Sequence, residues 1–179
     1  MSAELQARLG ELITTHLREI PDFPEPGVLF RDITPLLADG EAFRELIDKL
    51  AEHYRGQIDA IAGLESRGFI LAAPLATALG VGMITVRKAG KLPGPLIGVD
   101  YALEYGQARM ELRPDSVKPG SRVLIIDDVL ATGGTAAAAV ELIHRCDAEV
   151  AAVAVLLELS ELHGRDKLPG IKVESAVAF

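Results

Sequence analysis

The stretch Val123-Leu-Ile-Ile-Asp127-Asp128-Val-Leu-Ala131-Thr132-Gly133-Gly134-Thr135 places two adjacent carboxylates beside a loop rich in glycine and threonine. Residues 123–126 have the length and β-branched content of a strand buried on both faces, as in a parallel sheet. An Ala-rich helix is predicted to follow over 136–145. Glycines and a helix start both present free backbone N–H groups to an anion. We therefore expect a phosphate-type anion site where this strand ends.

The two aspartates need a partner other than an anion. Like charges about 5 Å apart repel by roughly 3 kcal/mol at an effective dielectric constant near 20. Sugar hydroxyls, or a Mg²⁺ ion shared with a phosphate, would relieve this repulsion. Neighbouring side chains of a strand point to opposite faces, so Asp127 and Asp128 should have different roles. A strand-end aspartate pair can also simply cap the next turn, but the glycines and threonines favour a phosphorylated sugar with its metal.

This segment contains neither a G-x-x-x-x-G-K-[ST] nor a G-x-G-x-x-G motif. It resembles instead the phosphoribosyl pyrophosphate (PRPP) signature of type I phosphoribosyltransferases. The resemblance implies that the aspartates meet the ribose and that the following loop holds the 5′-phosphate. The residues implied in PRPP or AMP binding are Asp127, Asp128, Ala131, Thr132, Gly133, Gly134 and Thr135.

Length and composition favour a single α/β domain. The chain has 179 residues, of which 49% are hydrophobic and 25% charged, enough for one well-packed core. Its net charge of −8 argues against a nucleic-acid partner. The sequence shows neither a signal-peptide core nor eighteen consecutive apolar residues, so we expect a cytoplasmic protein without a membrane partner. Cys146 is its only cysteine, which excludes an internal disulfide.

Hydrophobic periodicity predicts a mostly parallel central sheet flanked by helices. Helices are predicted over 5–17, 43–54, from about 68 through Ala73 to near Gly80, and over 136–145; strands are predicted over 58–62, 81–86, 123–126 and 149–157, with a hairpin formed by 99–103 and 107–112. Ligands of such sheets bind beyond the carboxyl ends of the strands, which is where the aspartates and the glycine loop fall.

A second glycine-bounded turn, residues 63–68, follows the first predicted sheet strand. On residue types alone it could be a capped turn with a solvated Arg67, and its spacing is not that of a G-x-S-x-G nucleophile elbow. The segment resembles the diphosphate-binding loop of adenine phosphoribosyltransferases. That resemblance implies that Glu65, Ser66 and Arg67 bind the leaving diphosphate, for which an arginine fork is geometrically suited.

Residues 87–95 combine the cations Arg87, Lys88 and Lys91 with glycines and prolines. A charged loop is most often only a solvated loop. Beside the other motifs, we expect a flexible lid whose cations close over the diphosphate and exclude water from a reactive sugar cation.

Residues 23–35 form a proline-stiffened, non-helical stretch with an aromatic, Phe30, that we expect to be exposed. The stretch resembles the hood segment of adenine phosphoribosyltransferases. The resemblance implies that Phe30 stacks on the purine and that main-chain atoms around Leu29 and Arg31 read the adenine edge. Residues 101–106 are similar to the family's hairpin, which implies that Glu104 lies near the transferred base; otherwise Glu104 is a turn residue on a solvated ribbon.

Five segments between residues 23 and 135 thus resemble adenine phosphoribosyltransferases in matching order. The resemblance implies a pentosyltransferase of purine salvage, which moves the phosphoribosyl group from PRPP to adenine and yields AMP and diphosphate. It implies catalytic roles for Glu104, Asp127 and Asp128, and a Mg²⁺ cofactor carried by PRPP and met by Asp127 or Asp128. We further expect a homodimer, with an N-terminal helix and base-binding hood over 1–35 and a core over 36–179.

Two other functions remain open. A phosphoribosyltransferase for another purine base would share the PRPP site, and only the hood resemblance argues against it. A non-catalytic PRPP-sensing regulator would need a DNA-binding module. The N-terminal extension amounts to about one helix and the net charge is negative, so this second alternative is weaker.

Overall fold

The computed structural model describes residues 1–102 and 106–179. Helices and strands alternate along most of the chain. In chain order they are α1 (Ala3–Thr15), β1 (Arg18–Ile20), β2 (Phe30–Asp32), α2 (Thr34–Ala38), α3 (Gly40–Tyr54), β3 (Ala60–Leu64), α4 (Arg67–Leu79), β4 (Gly82–Lys88), β5 (Ile97–Ala102), β6 (Gln107–Leu112), β7 (Arg122–Leu130), α5 (Gly134–His144), β8 (Glu149–Glu158) and β9 (Val173–Ala178).

A seven-stranded sheet with the order β5-β6-β4-β3-β7-β8-β9 forms the centre of the fold. β4, β3, β7, β8 and β9 run parallel to one another, whereas β6 is antiparallel to both β4 and β5. β1 and β2 form a separate antiparallel ribbon. The prediction of an α/β fold with a mostly parallel sheet is confirmed.

The two faces of the sheet carry different helices. Leu124 and Ile126 of β7 pack with α1, α3 and α4, whereas Val123 and Ile125 pack with α5. All four side chains are at most 1% exposed. A strand covered on both faces has no polar side, which explains the unbroken apolar run. Within the described residues, no helix has both the length and the apolar character needed to cross a membrane.

The structure corrects several predicted boundaries. β7 does not stop at residue 126 but continues to Leu130, because Asp127 pairs with Val155 and Leu130 pairs with Glu158 of β8. The aspartates therefore lie inside the strand. β3 ends two residues later than predicted, at Leu64.

Two features were not predicted at all. The β1–β2 ribbon has only three residues in each strand, too few for a recognisable alternation. The edge strand β9 contains Glu174 and Ser175, and both are 5% exposed. Polar residues at buried positions break the apolar pattern by which a strand is predicted. They can be buried here because each has a partner in another element: the hydroxyl of Tyr54 donates to Glu174, and the guanidinium of Arg165 donates to Ser175.

Helix α4 packs unusually close to the sheet, at two glycines. A Cβ atom at Gly68 would lie 2.6 Å from the carbonyl oxygen of Ile126, and one at Gly63 would lie 2.8 Å from the Cβ of Ala72. No other residue type fits such distances without moving backbone. The close approach fixes the start of α4 against β3 and β7, at the carboxyl edge of the sheet.

Candidate active site

Two helix N-termini meet at the carboxyl edge of the sheet. β3 and β7 are parallel neighbours, and α4 begins just after β3 while α5 begins just after β7. In the part of the chain that the structure describes, no side chain caps α4 at Ser66 or α5 at Gly133. The first N–H groups of both helices are thus free to bind an anion, with the helix dipole in the favourable direction.

Asp127 and Asp128 lie between these helix starts and point to opposite faces of the sheet, as predicted. Asp127 lines a cavity of about 160 Å³ on the α5 side. Asp128 is 5% exposed and forms an ion pair with Nε of Arg67, the first residue of α4. Oδ1 of Asp127 also lies 3.2 Å from the position that a Cβ atom at Gly68 of α4 would take, so both carboxylates are close to the α4 start.

The charge of Asp127 is poorly compensated. Burial, and next the negative charge of Asp128, raise the pKa of Asp127 well above its usual value of 3.8. Its Oδ1 accepts the N–H of Asp128 at 2.9 Å, but among the described residues no cation lies within ion-pair distance of it. A ligand that donates hydroxyl groups, or a bound cation, would remove this deficit.

The loop between β7 and α5 surrounds the cavity and is held in an unusual conformation. Gly133 has φ +77°, and a Cβ atom there would overlap the carbonyl oxygen of Gly164. A Cβ at Gly164 would in turn overlap the carbonyl oxygen of Ala131. The residues that are predicted to bind the 5′-phosphate, Ala131, Thr132, Gly133, Gly134 and Thr135, all line the cavity.

The support of this loop was missed by sequence reasoning. Gly164 belongs to a short 3₁₀ turn, Gly164–Lys167, in which Arg165 donates from Nη2 to Oε2 of Glu158 at 2.7 Å. Ser175 of β9 donates to the same carboxylate at 2.7 Å. Neither Gly164 nor Glu158 carries a motif that would reveal this contact, because it depends on the position of β9.

Tyr101 of β5 also packs against the loop between β7 and α5, at Gly134 and Thr135. Its hydroxyl lies 3.3 Å from Oγ1 of Thr135, and a Cβ atom at Gly134 would lie 2.9 Å from its ring. Tyr101 was not predicted as a site residue.

The segment Glu65-Ser66-Arg67 lies at the start of α4. Ser66 is exposed, and Glu65 is bound to the base of the predicted lid. Oε1 of Glu65 accepts from Nη2 of Arg87 at 2.9 Å, and Oε2 accepts the N–H of Lys88 at 2.9 Å. The hydrogen bond from Arg87 lowers the pKa of Glu65, so this carboxylate stays ionised.

The predicted lid leaves the sheet at the end of β4. Arg87 donates to the carbonyl oxygen of Lys91 at 3.2 Å, and its guanidinium carbon lies 5.9 Å from the centre of the Phe69 ring. The side chains of Lys88 and Lys91 are exposed. The structure thus brings Arg87 to the start of α4 and leaves the two lysines in solvent.

The predicted hood residues lie on or just before β2. Leu29 is exposed, but Phe30 is only half-buried rather than exposed as expected, because Phe23 packs edge-to-face on it with ring centres 5.3 Å apart. The guanidinium of Arg67 lies 5.7 Å from the Phe30 ring. The hood therefore adjoins the α4 start. Glu104 lies outside the described residues.

No three His, Cys, Asp or Glu side chains within residues 1–102 and 106–179 cluster closely enough to hold a metal by themselves. A metal at Asp127 or Asp128 would therefore need ligands from the substrate and from water.

Comparison with known proteins gives one consistent family. The family model for the phosphoribosyl transferase domain matches residues 33–175. The adenine phosphoribosyltransferase of Acidothermus cellulolyticus is 51% identical over 170 residues, which are 94% of this chain and 96% of that protein. The crystal structure of adenine phosphoribosyltransferase from Thermoanaerobacter pseudethanolicus has a TM-score of 0.90 and 46% identity, covering 95% and 99% of the two chains. The Saccharomyces cerevisiae enzyme, crystallised with an imino-altritol bisphosphate and adenine, has a TM-score of 0.91 and 40% identity, covering 96% and 99%.

Replacing Asp127 with asparagine should stabilise the protein at neutral pH. A buried carboxylate with a raised pKa loses folding stability as the pH rises above its usual value of 3.8. The variant should therefore have a higher free energy of unfolding than the wild type at neutral pH, and no such gain near pH 3.5, where most of this carboxyl group is protonated in both the folded and the unfolded state. Urea denaturation at neutral pH and near pH 3.5 measures the two free energies of unfolding.

Asp59→Asn is the matched control for this experiment. Arg122 lowers the pKa of Asp59 to about 2 through its hydrogen bonds, at the opposite edge of the sheet. This substitution should therefore lower the stability at neutral pH. A destabilised Asp127→Asn variant would contradict our interpretation of the aspartate pair.

Replacing Gly133 with alanine should weaken the binding of ribose 5-phosphate at least about tenfold, because the loop must move away from Gly164 and lose its anion-binding geometry. Isothermal titration calorimetry measures the affinity. Gly170→Ala is the control, since Gly170 has a similar φ of +76° but a Cβ atom there meets nothing within 4 Å in the described chain. Equal affinities for the two variants would argue against the loop as the phosphate site.

Proposed function

This chain belongs to the adenine phosphoribosyltransferase family, and we propose that it transfers the 5-phosphoribosyl group from PRPP to adenine, yielding AMP and diphosphate. The type I phosphoribosyltransferase fold predicted from the sequence is confirmed by the structural relatives. The observation that carries the proposal is the pair of uncapped helix N-termini, of α4 and α5, on either side of Asp127 and Asp128.

The charges of PRPP match this arrangement of two helix N-termini with two carboxylates between them. It carries a 5′-phosphate at one end, a diphosphate at the other and a ribose with two free hydroxyls between them. In our proposal the loop Ala131–Thr135 and the α5 start bind the 5′-phosphate. The α4 start, with Ser66 and Arg67, binds the diphosphate. The aspartates accept hydrogen bonds from the ribose hydroxyls, which gives the underpaired Asp127 its donors.

The reaction breaks the bond between the ribose C1 and the diphosphate oxygen, which leaves with the bonding electron pair, and forms a bond from C1 to N9 of adenine, whose N9 proton is taken up by the diphosphate or by water. Positive charge develops on the sugar as the diphosphate leaves. The carboxylates of Asp127 and Asp128 lie on the ribose side and stabilise that charge, while Arg67 stabilises the leaving anion. Catalysis thus rests on orientation and electrostatics. We propose Glu104 as a proton donor to the base or as its hydrogen-bond partner.

A Mg²⁺ cofactor fits the donor set. Two hard carboxylates, one of them outside ion-pair distance of any cation in the described part of the chain, suit an ion that takes only one or two protein ligands and completes its shell with phosphate oxygens and water. When bound with PRPP, Mg²⁺ would offset charge on the diphosphate. We propose Asp127 or Asp128 as its protein contact, direct or through water.

The hood and the lid complete the proposed site. Phe30 stacks on adenine, and the main chain of Leu29 and Arg31 reads its edge. Arg87, Lys88 and Lys91 contribute cations near the diphosphate. Glu65 contributes to diphosphate binding indirectly. Its carboxylate accepts hydrogen bonds from Arg87 and from the N–H of Lys88, and so positions the base of the lid.

Assembly and location are part of the same proposal. We propose a homodimer, as the resemblance to adenine phosphoribosyltransferases implies. We also propose a cytoplasmic location, no nucleic-acid or membrane partner, and a division into the hood segment 1–35 and a core 36–179.

The test of this function is turnover with a panel of bases. The protein is mixed with PRPP, Mg²⁺ and adenine, hypoxanthine or guanine, and nucleotide formation is followed. We expect AMP formation from adenine to exceed the other reactions by at least about 100-fold in kcat/KM, the discrimination available when mismatched polar groups are buried. Preference for hypoxanthine or guanine would refute the choice of base, and no turnover with any base would favour a PRPP sensor.

Replacing Arg67 with alanine should reduce kcat/KM for PRPP by about 100-fold or more, because the charge on the departing diphosphate loses its guanidinium. Arg122→Ala is the control: it removes the same type of Arg–Asp pair, with Asp59, from the other end of β7. Steady-state kinetics with PRPP varied at saturating adenine measures the effect. Near-normal kinetics for Arg67→Ala would exclude Arg67 from the diphosphate site.

A further inference from the structure

The side chain of Arg31 has an unusual environment. It is 16% exposed, and its Nε is buried without a hydrogen-bond partner among the described residues. A carboxylate oxygen of Glu19, on the neighbouring strand β1, lies 3.7 Å from that Nε, too far for a strong hydrogen bond. The guanidinium carbon lies 3.9 Å from the centre of the Phe179 ring. The cation therefore has two favourable contacts, a long ion pair with Glu19 within the ribbon and the face of the Phe179 ring outside it.

The position of Phe179 is fixed by main-chain hydrogen bonds. Its N–H donates to the carbonyl oxygen of Glu158 at 2.9 Å, and its carbonyl oxygen accepts the N–H of Ser160 at 2.9 Å. These bonds join the end of β9 to the end of β8. The ring is thus attached to the carboxyl edge of the central sheet and not to the hood.

Arg31, in contrast, belongs to the hood. It lies on β2 between Phe30 and Asp32, and pairs with Glu19 in the ribbon. Neighbouring side chains of a strand point to opposite sides, so Phe30 can face Arg67 while Arg31 reaches Phe179. The Arg31–Phe179 stack therefore connects the strand that carries the base-binding residues to the rigid sheet.

We propose that Phe179 is a positioning residue for the base: by holding Arg31, its ring keeps the main chain at 29–31 and the Phe30 ring in the geometry that adenine requires. This inference rests on the proposed function of the hood. Phe179 makes no contact with substrate in this account and acts only through Arg31. Loss of the ring should loosen the hood without altering the PRPP half of the site.

Replacing Phe179 with alanine should raise KM for adenine about tenfold, while kcat and KM for PRPP change less than about twofold, because the cation–π contact with Arg31 is lost at the hood alone. Phe179→Leu keeps much of the apolar volume but not the π-face, so it should resemble the alanine variant. Phe179→Tyr keeps the ring and should restore the wild-type KM. Leu162→Ala, at an exposed apolar residue of the same sheet edge, is the control and should behave as wild type.

The kinetic pattern separates positioning from simple stability. A purely structural role would lower the unfolding midpoint and affect both substrates, and the leucine variant would then be close to wild type. An unchanged KM for adenine in Phe179→Ala, equal effects on both KM values, or failure of Phe179→Tyr to restore binding would each overturn the inference. If the wild-type protein uses another purine, the choice of adenine is wrong, and the same ratios measured with that purine test Phe179 separately.

Discussion

The site depends on one geometric constraint, namely that β3 and β7 are adjacent parallel strands whose following helices lie on opposite faces of the sheet. Parallel pairing brings both helix starts to one edge, and the alternation of side chains turns Asp127 toward the cavity before α5 and Asp128 toward Arg67 of α4. Two like charges are thereby held together at a cost in stability, as the raised pKa of Asp127 indicates. A ligand with an anion at each end and hydroxyl donors between them compensates that cost.

Close backbone contacts maintain this geometry on both faces. Gly68 brings α4 against the carbonyl of Ile126, and the contact between Gly133 and Gly164 holds the loop before α5. These glycines allow distances that no side chain permits, and at α5 the glycine at the N-cap position, Gly133, also leaves the first amides without a side-chain cap. The 3₁₀ turn containing Gly164 is in turn fixed by the ion pair of Arg165 with Glu158. The anion-binding loop is thus supported by residues about thirty positions later in the chain.

How far the sequence predicts the structure depends on the range of the contacts involved. The buried run of β7, the glycine loop and the Ala-rich helix are specified by local pattern, and the opposite orientation of the two aspartates follows from strand alternation alone. The extension of β7 to Leu130 could not be predicted, because it is imposed by pairing with β8. The support by Gly164 and the Arg31–Phe179 stack join segments far apart in sequence, and no local periodicity reports them. The family resemblance pointed to the loop before α5 and to the hood, and the structure shows the contacts that fix them, Gly133 with Gly164 and Arg31 with Phe179.

The central claim is that the two helix starts bind the two ends of one ligand. Amide chemical-shift mapping on the ¹⁵N-labelled protein, with ribose 5-phosphate and inorganic diphosphate titrated separately, tests it most directly. The account predicts that ribose 5-phosphate shifts the amides of Gly134, Thr135 and Ala136, and that diphosphate shifts those of Arg67 and Gly68. Perturbation of the same helix start by both ligands, or of neither, would contradict it.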